Sequence, residues 1–381
     1  MSWIFWLGLS LVICWGVLIF RWHGFWRMDT RLPPAPAMPP HGKWPAVKAI
    51  VPARNEEKDI AAALTSLLAQ DYPGAFRIIC VNDNSTDATA DKARALAGDD
   101  RLTVLDAPPP QPGWAGKVAA QHFALESLKD TPPEFIWFTD ADITHAPDTL
   151  RRLVALAQAR KLGLTSVMVR LRCESTWEKL LVPAYVYNFF LLYPPKAVSR
   201  PDAYAAGAAG GCILARHDAL VDIGGLESIH DAIIDDCTLA RRIKDRGWRL
   251  WLGLSDTSRS LRAYDRLGEF WTMVARFAYE QLDHSPIRLT GALAAVGYAF
   301  ILPALYVPGF ILGAPLAHFP GLVAFGLMTA SYLPILRFYR LRKPWALLLP
   351  LAEGLFALMT LSSAFSHMTG KGVNWRGRPV S

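Results

Sequence analysis

A chain of 381 residues has room for one large domain or two ordinary ones, and its 52% hydrophobic and 19% charged content, with 14 tryptophans, is unusual for a soluble protein. The formal net charge of +7 raises nucleic acid as a partner. The basic residues, however, flank apolar stretches and presumed helix faces, which points to anionic lipid headgroups and to no nucleic acid. The five cysteines (Cys14, Cys80, Cys173, Cys212 and Cys237) form no close pair and no zinc-ligand spacing, so they suit reduced thiols in a cytosolic domain.

Residues 3–20 carry no charge and nearly span a bilayer core of about 30 Å. No basic residue precedes them, and Arg21, Arg27 and Arg31 follow, so the positive-inside tendency puts the N-terminus outside and residue 21 onward in the cytoplasm. With no basic start and no small-residue cleavage site, residues 1–21 read as an uncleaved anchor. The proline-rich stretch 22–45 is expected to be a linker without regular structure that crosses the headgroup region.

From Ala46 the texture changes. VKAIVPA, FRIICVND, RLTVLDA and FIWFTDAD read as strands, and NEEKDIAAALTSLLAQ, STDATADKARALA and GKVAAQHFALESL between them read as helices. The alternation predicts an α/β fold over residues 46–265, a mostly parallel sheet covered on both faces. Ligands in such sheets bind beyond the carboxyl ends of the strands, where PARNEE, VNDNSTD and TDAD all fall.

Residues 175–196 and 267–282 carry wide aromatic faces flanked by charges. Each reads either as a core helix or as a helix in the membrane interface, the latter extending to a domain boundary of 266–288. Residues 289–317, 319–336 and 345–366 are apolar with Glu353 as their one charge, so residues 289–366 predict about three membrane segments. RFYRLRK (337–343) marks a cytoplasmic loop, and 367–381 is a basic tail. Counting spans puts that tail outside, against its Lys371, Arg376 and Arg378, unless the proline-interrupted first segment (Pro303, Pro308, Pro315) is broken or re-entrant.

Asp140 and Asp142 follow an apolar strand directly. Side chains at i and i+2 of an extended segment share a side, so the two would repel unless protons or a hard divalent cation sat between them. A solvated surface turn is the alternative. In VNDNSTD, Asp83 and Asp87 lie at a strand end and a helix start, where they either cap the helix or contact a ribose or base. Glu56 in PARNEE has the same two readings. Lys117 in PGWAGKVAA stands at a glycine-flanked helix start suited to a diphosphate, without forming a P-loop. The small-residue run 205–216 lets another molecule approach the backbone. Asp235 and Asp236 open a helix whose dipole favours carboxylates. A second acid pair beside the first raises a division of labour, one pair for a metal and one for a general base. Successive residues of a helical turn point about 100° apart, so one of these two is expected to face the reaction centre.

Taken in order, PARNEE, VNDNSTD, GWAGK, TDAD, the GG loop and IDD resemble the family-2 glycosyltransferases with a GT-A nucleotide-sugar domain, over roughly residues 46–250. The N-terminal anchor, the C-terminal spans and the closing GVNWRGRP are most similar to the hopene-associated membrane glycosyltransferases of hopanoid-producing bacteria. Ceramide-glucosyltransferase-like enzymes are more distant relatives.

The resemblance implies a GT-A, Rossmann-like domain held by an N-terminal transmembrane anchor and C-terminal transmembrane helices. It implies Asp236 as catalytic base and Asp140 and Asp142 as the pair near Mg2+ or Mn2+ and the diphosphate. Pro52, Arg54, Glu56, Asp83, Asp87, Lys117, Gly210, Gly211, Asp235 and Gln281 would bind substrate, with Asp83 and Glu56 at the nucleoside and Lys117 near the phosphates. One departure matters: processive members carry a QxxRW-type motif where EQLDHS (280–285) stands here, keeping Gln281 but not the Arg-Trp pair, which argues against polymer synthesis and leaves the role of His284 open. The partners implied are a nucleotide-sugar donor (a UDP-sugar first), a lipid acceptor, the membrane and other hopanoid-pathway enzymes. The location implied is the inner (cytoplasmic) membrane, multi-pass, with the catalytic domain cytoplasmic. A polyprenyl-phosphate or sphingolipid-like sugar transferase and a non-catalytic membrane scaffold are the competing readings.

Overall fold

The computed structural model of the chain describes residues 3–36, 42–313, 315–369, 373–375 and 378–380. Its first elements are α1 (Trp3–Phe20), β1 (Val47–Ala53), α2 (Ile60–Leu68), β2 (Phe76–Asn82), α3 (Thr89–Ala95), β3 (Leu102–Asp106) and α4 (Gly116–Glu126). Next come β4 (Phe135–Thr139), β5 (Ile143–His145), α5 (Thr149–Arg160), β6 (Leu162–Arg170), α6 (Thr176–Leu192), α7 (Pro195–Val198), β7 (Cys212–Arg216) and α8 (His217–Asp222). The rest are α9 (Asp235–Asp245), β8 (Arg249–Ser260), α10 (Leu267–Ala275), α11 (Pro286–Val296), α12 (Leu302–Leu312), α13 (Pro315–Phe338), α14 (Leu349–Met368) and a hairpin of β9 (Val373–Trp375) with β10 (Arg378–Val380). They form two compact units, Asp29–Arg172 with Pro195–Ala263, and Met1–Met28 with Cys173–Pro194 and Tyr264–Ser381.

The first unit is built on an eight-stranded sheet of order β3-β2-β1-β4-β7-β6-β8-β5. Its β3-β2-β1-β4 half is parallel, as is the β6–β8 pair, while β7 and β5 pair antiparallel with their neighbours. This is the expected α/β, GT-A-like architecture. Every residue of β4 is buried, as are Val47, Ala49, Ile50 and Val51 of β1. Such unbroken apolar strands belong in a sheet covered on both faces. Pro52 is tolerated in this central strand because the β1–β4 ladder stops at Ile50, opposite Phe138. Its missing N–H therefore leaves no β4 carbonyl unpaired.

Helices α2 and α3 begin several residues later than the sequence pattern suggested. Asn55 and Asn84 adopt φ of 52° and 51°, a left-handed conformation that Asn tolerates and that breaks a helix. The residues so released form loops at the carboxyl ends of β1 and β2. The linker expectation for 22–45 is corrected in part. Arg31 bridges to Leu254 of β8, Leu32 N donates to Leu254 O at 3.1 Å, and Leu254 N donates to Thr30 O at 2.8 Å. Leu32 is buried, and Arg152 donates to the carbonyls of Leu32 and Pro33. The prolines exclude a long strand, but they do not prevent two residues from extending the sheet. The part of the linker at 37–41 lies outside the described residues.

Among the described residues of the second unit four helical segments are long and apolar enough to cross a membrane: Trp3–Phe20, Pro286–Leu312, Pro315–Phe338 and Lys343–Met368. The proline-interrupted stretch is helical from Pro286 through Pro303 and Pro308 to Leu312; the helix ends at Gly313 (φ 144°), and Pro315 opens α13. A π-turn at Gly297–Ile301 joins α11 to α12 and absorbs the approach to Pro303. The Ala299 carbonyl in that turn accepts from Trp15 Nε1 at 2.8 Å, which is how irregular backbone is kept satisfied at membrane depth. A Cβ at Gly8 would lie 2.8 Å from the Gly321 nitrogen, so α1 and α13 cross on small residues. The helix expected at 266–288 is shorter: α10 ends at Ala275, and a separate 3-10 turn covers Glu280–Leu282. In the basic tail, Lys371 and Arg376 lie outside the described residues.

Helix α6 belongs to this second unit although its sequence interrupts the first. Tyr187 and Phe190 are fully buried, Tyr187 Oη shares a 2.7 Å hydrogen bond with Ser331 Oγ, and Asn188 Nδ2 donates to Glu353 Oε2 at 3.1 Å. At those positions the helix is packed core. Its start is fixed by a capping box in which the buried Glu178 accepts from Glu174 N and Ser175 N at 2.7 and 2.9 Å, and from Tyr264 N at 2.8 Å. Replacing that carboxylate by an amide puts N–H against N–H. Glu178→Gln is therefore expected to destabilise the protein by about 3 kcal/mol, read as a lowered midpoint of thermal unfolding in detergent.

Candidate active site

The loops at the carboxyl ends of β1 and β2 brace each other. Arg54 Nη1 donates to the carbonyls of Asp83 and Asn84 at 2.8 and 3.1 Å, and Asn55 Oδ1 accepts from Thr86 N at 2.8 Å. Glu56 N donates to Thr89 Oγ1 at 2.7 Å, and Glu57 N to Asp87 Oδ2 at 3.2 Å. Thr89 also donates to Asp87, and these hydrogen bonds hold the Asp87 carboxyl below its usual range although burial opposes them. Asp83 is buried, its backbone N–H tied to Ala53 O at 2.8 Å. Asp87 thus accepts from Thr89 N at 3.0 Å at the start of α3 and from Glu57 N across the loop.

A second cluster forms around Lys117 in the first turn of α4. Its Nζ lies 2.9 Å from Asp140 Oδ1 and 3.4 Å from Asp235 Oδ2. Asp236 Oδ2 accepts from Gly210 N at 2.7 Å, and Oδ1 accepts from Cys237 N at 2.7 Å. Strand β7 runs antiparallel to β4 with Cys212 opposite Thr139, which brings residues 205–211 to the carboxyl end of β4. A Cβ at Gly210 would sit 3.1 Å from Asp236 Oδ2 and 3.3 Å from Lys117 Nζ, so this approach is tight for any other residue. Burial opposes the Lys117 charge, but Asp140, Asp235 and Asp236 hold it well above its usual range. Burial and the neighbouring Asp235 push Asp236 up to about 6, against Lys117 and the two backbone N–H groups. The two acids of the α9 start thus take different partners: Asp235 pairs with Lys117, and Asp236 accepts from the backbone of Gly210 and Cys237.

The Asp140–Asp142 geometry also differs from expectation. β4 ends at Thr139, and residues 140–142 form a turn into β5. Asp140 faces Lys117, whereas Asp142 accepts from Arg262 Nε at 2.8 Å, and Arg262 Nη2 donates to Glu56 at 2.9 and 3.1 Å. Burial raises both carboxyls, Asp142 and Glu56, and takes Glu56 up to about 8, with Arg262 opposing and the mutual repulsion of the acids adding to it. Arg262 was not read from the sequence. It follows a strand whose last residues are polar, between Arg259 and Arg266, and no motif marks it.

Beneath the turn runs a buried polar chain. Thr139 Oγ1 donates to Gly211 O at 2.9 Å, so it accepts from His145 Nε2 at 2.8 Å, and His145 Nδ1 accepts from Ser258 Oγ at 2.9 Å. Burial drops the imidazole to about 3, which keeps it neutral, as this single-donor, single-acceptor role requires. Of the residues expected at the site, Gln281 alone belongs to the other unit, where its Oε1 accepts from Tyr193 Oη at 3.0 Å.

Among the described residues no group of three or more His, Cys, Asp or Glu side chains could cage a metal. Asp140 and Asp142 instead fit the mode in which Mg2+ or Mn2+ takes one or two carboxylates and completes its shell with substrate phosphates and water. Each already draws a cationic group, Lys117 Nζ at 2.9 Å and Arg262 Nε at 2.8 Å.

Residues 48–224 match the model of Glycosyl transferase family 2. An N-acetylglucosaminyltransferase of Mesorhizobium japonicum is 27% identical over 204 residues, 52% of this chain and 46% of that protein. A 4,4'-diaponeurosporenoate glycosyltransferase of Staphylococcus aureus is 36% identical over 125 residues, 32% of this chain and 31% of that protein. The matched region thus spans less than half the length of these curated relatives. Among solved structures, the mannosyltransferase PcManGT of Pyrobaculum calidifontis, in complex with GDP-Man and Mn2+, superposes with a TM-score of 0.53 at 21% identity, covering 96% of this chain and 99% of that one.

The buried histidine gives a test with a definite sign. Unfolded, His145 takes up a proton below about pH 6.5, whereas in the fold it stays neutral down to about 3. Between those values the unfolded state holds one more proton, so acidification lowers stability by about 1.4 kcal/mol per pH unit through this residue. His145→Asn is expected to lower stability at neutral pH by about 2 kcal/mol through the polar chain and to flatten the slope between pH 6 and 4 by one proton. Thermal unfolding across that range measures both.

Proposed function

Residues 48–224 form a family 2 glycosyltransferase domain, and from that premise we propose that the chain is a membrane-bound transferase. It moves one sugar from a nucleotide-sugar donor, a UDP-sugar as first choice, onto a lipid hydroxyl with inversion at the anomeric carbon. Asp236 carries this assignment. It is held by two backbone N–H groups, lies at the carboxyl edge of the sheet, and is raised to about 6, the range of a base that works near neutrality. Asp236 takes the acceptor proton as the acceptor oxygen bonds to the anomeric carbon. The bond to the diphosphate breaks on the opposite face, and its electron pair leaves with the nucleotide.

Lys117 places positive charge where the departing diphosphate gathers negative charge. Asp83, Asp87 and Glu56, with the loop that Arg54 braces, form the nucleoside side. Asp140 and Asp142 would hold Mg2+ or Mn2+, which when bound supplies further charge neutralisation to the leaving diphosphate. Four helices able to cross a membrane support a lipid-soluble acceptor. The basic residues after the first span support a cytoplasmic catalytic domain on the inner membrane. A hopanoid is the acceptor class to which the motif resemblance points.

Membranes from cells with and without the gene, given donor labelled in the sugar, test the proposal. Label is expected in the organic extract when the gene is present. Label that stays in the aqueous phase, with donor bound but no product, would favour the non-catalytic scaffold. Asp236→Asn is expected to cut transfer by roughly 10²–10⁴-fold while donor affinity by calorimetry changes little, and Asp235→Asn to cost less. In wild type kcat/KM is expected to fall tenfold per pH unit below about 6 as Asp236 takes up its proton. A flat acid limb would remove Asp236 as the base.

A further inference from the structure

Arg262 stands where the proposed reaction needs positive charge twice, first for acids and then for a donor. Its Nε is 2.8 Å from Asp142 Oδ2, and its Nη2 is 2.9 and 3.1 Å from the two Glu56 oxygens. The two acids are nearly buried, with 10% and 12% of their side chains exposed, while Arg262 keeps 34%. The base of the residue is pinned beside the turn. Leu261 N donates to Asp142 O at 2.8 Å, and Arg262 N to Ser260 Oγ at 3.2 Å. A planar fork of this kind pairs with a phosphate as readily as with a carboxylate. A divalent cation at Asp142, by contrast, would meet the guanidinium as a like charge at contact distance.

We propose that Arg262 is an exchangeable counter-ion. It neutralises Asp142 and Glu56 before the donor arrives, yields Asp142 when a divalent cation enters with the donor, and turns its guanidinium onto the donor diphosphate. This assignment rests on the transfer reaction proposed above. Lys117 differs from it, because its ammonium faces acids from both the 140–142 turn and the α9 start and has no single partner to give up. The exchange makes cation and donor binding cooperative. Alone, the cation competes with Arg262; with the donor present, the displaced guanidinium gains a partner. Each ligand must then tighten the other by the same factor.

The full-length protein in detergent micelles allows a direct test, with Mn2+ binding read by electron paramagnetic resonance and UDP, then GDP, by calorimetry. Wild type is expected to bind Mn2+ at least about tenfold more tightly with nucleotide than without. Arg262→Met is expected to bind Mn2+ alone about tenfold more tightly than wild type does, and nucleotide roughly 10–100-fold more weakly, so that the coupling disappears. Arg262→Lys keeps the charge but not the fork and is expected to fall between, which preserves the test if the Met variant does not fold. Unchanged Mn2+ affinity without nucleotide in the variants, or unchanged nucleotide affinity, overturns the exchange and leaves the transferase assignment standing. Failure of the wild type to bind either nucleotide removes the assignment and the exchange with it.

Discussion

Acidic charge in excess of its counter-ions governs this protein. Glu56, Asp140, Asp142, Asp235 and Asp236 gather at one edge of the sheet around two basic side chains, Lys117 and Arg262. Two like charges 4 Å apart near a protein surface repel by about 4 kcal/mol, so the edge holds only because each carboxyl has a specific answer. Arg262 is shared between Glu56 and Asp142, Lys117 lies against Asp140 and Asp235, and backbone N–H groups take both oxygens of Asp236. The tight approach at Gly210 and the Ser258–His145–Thr139 chain keep these groups at fixed separation. An anionic donor meeting such an edge gains nothing until more positive charge arrives with it.

The same constraint explains why distant stretches of chain converge. Arg262 and Glu56 are 206 residues apart in sequence and share two hydrogen bonds. Placing β8 beyond β6 and β7, on the far side of β4 from β1, lets the residues that follow β8 reach the turn after β4. The antiparallel β7 delivers the Gly210 loop to the same end. A purely parallel sheet would have put every one of those loops at a strand end reached from one direction. The reversals at β7 and β5 allow segments to enter the site from both.

Much of the first half of the sheet was legible because β1 to β4 are continuous apolar runs separated by helical patterns, each ending in a polar cluster. From them Asp83, Asp140 and Asp142 could be placed at strand ends, and Lys117 at a helix start, without coordinates. β5 has three residues and carries no periodic signal, and β6 and β7 lie among small residues that suit a loop equally well. Arg262 was invisible for a related reason: its partners are fixed by the strand order, and no local pattern encodes strand order. The geometry of the acid pair was misread because strand β4 ends one residue before Asp140, and the rule for extended chains does not reach past that end. Helix α6 looked amphipathic by its flanking charges, but Phe190 is buried and Tyr187 bonds to Ser331, more than a hundred residues away.

The interruption of the sheet-bearing unit by residues 173–194 sets an order of events during synthesis. Every strand of the large sheet is complete by Ser260, whereas α6 packs against α13 and α14, which emerge from the ribosome later. For that interval the chain carries a nearly finished sheet with an apolar helix, including Tyr187 and Phe190, whose partners α13 and α14 have not yet formed. Exposed surface of this kind drives association of incomplete chains. The growing polypeptide therefore needs shelter for α6, from the bilayer or from a chaperone, and early termination after the last strand would yield a sticky fragment rather than a free-standing sheet domain.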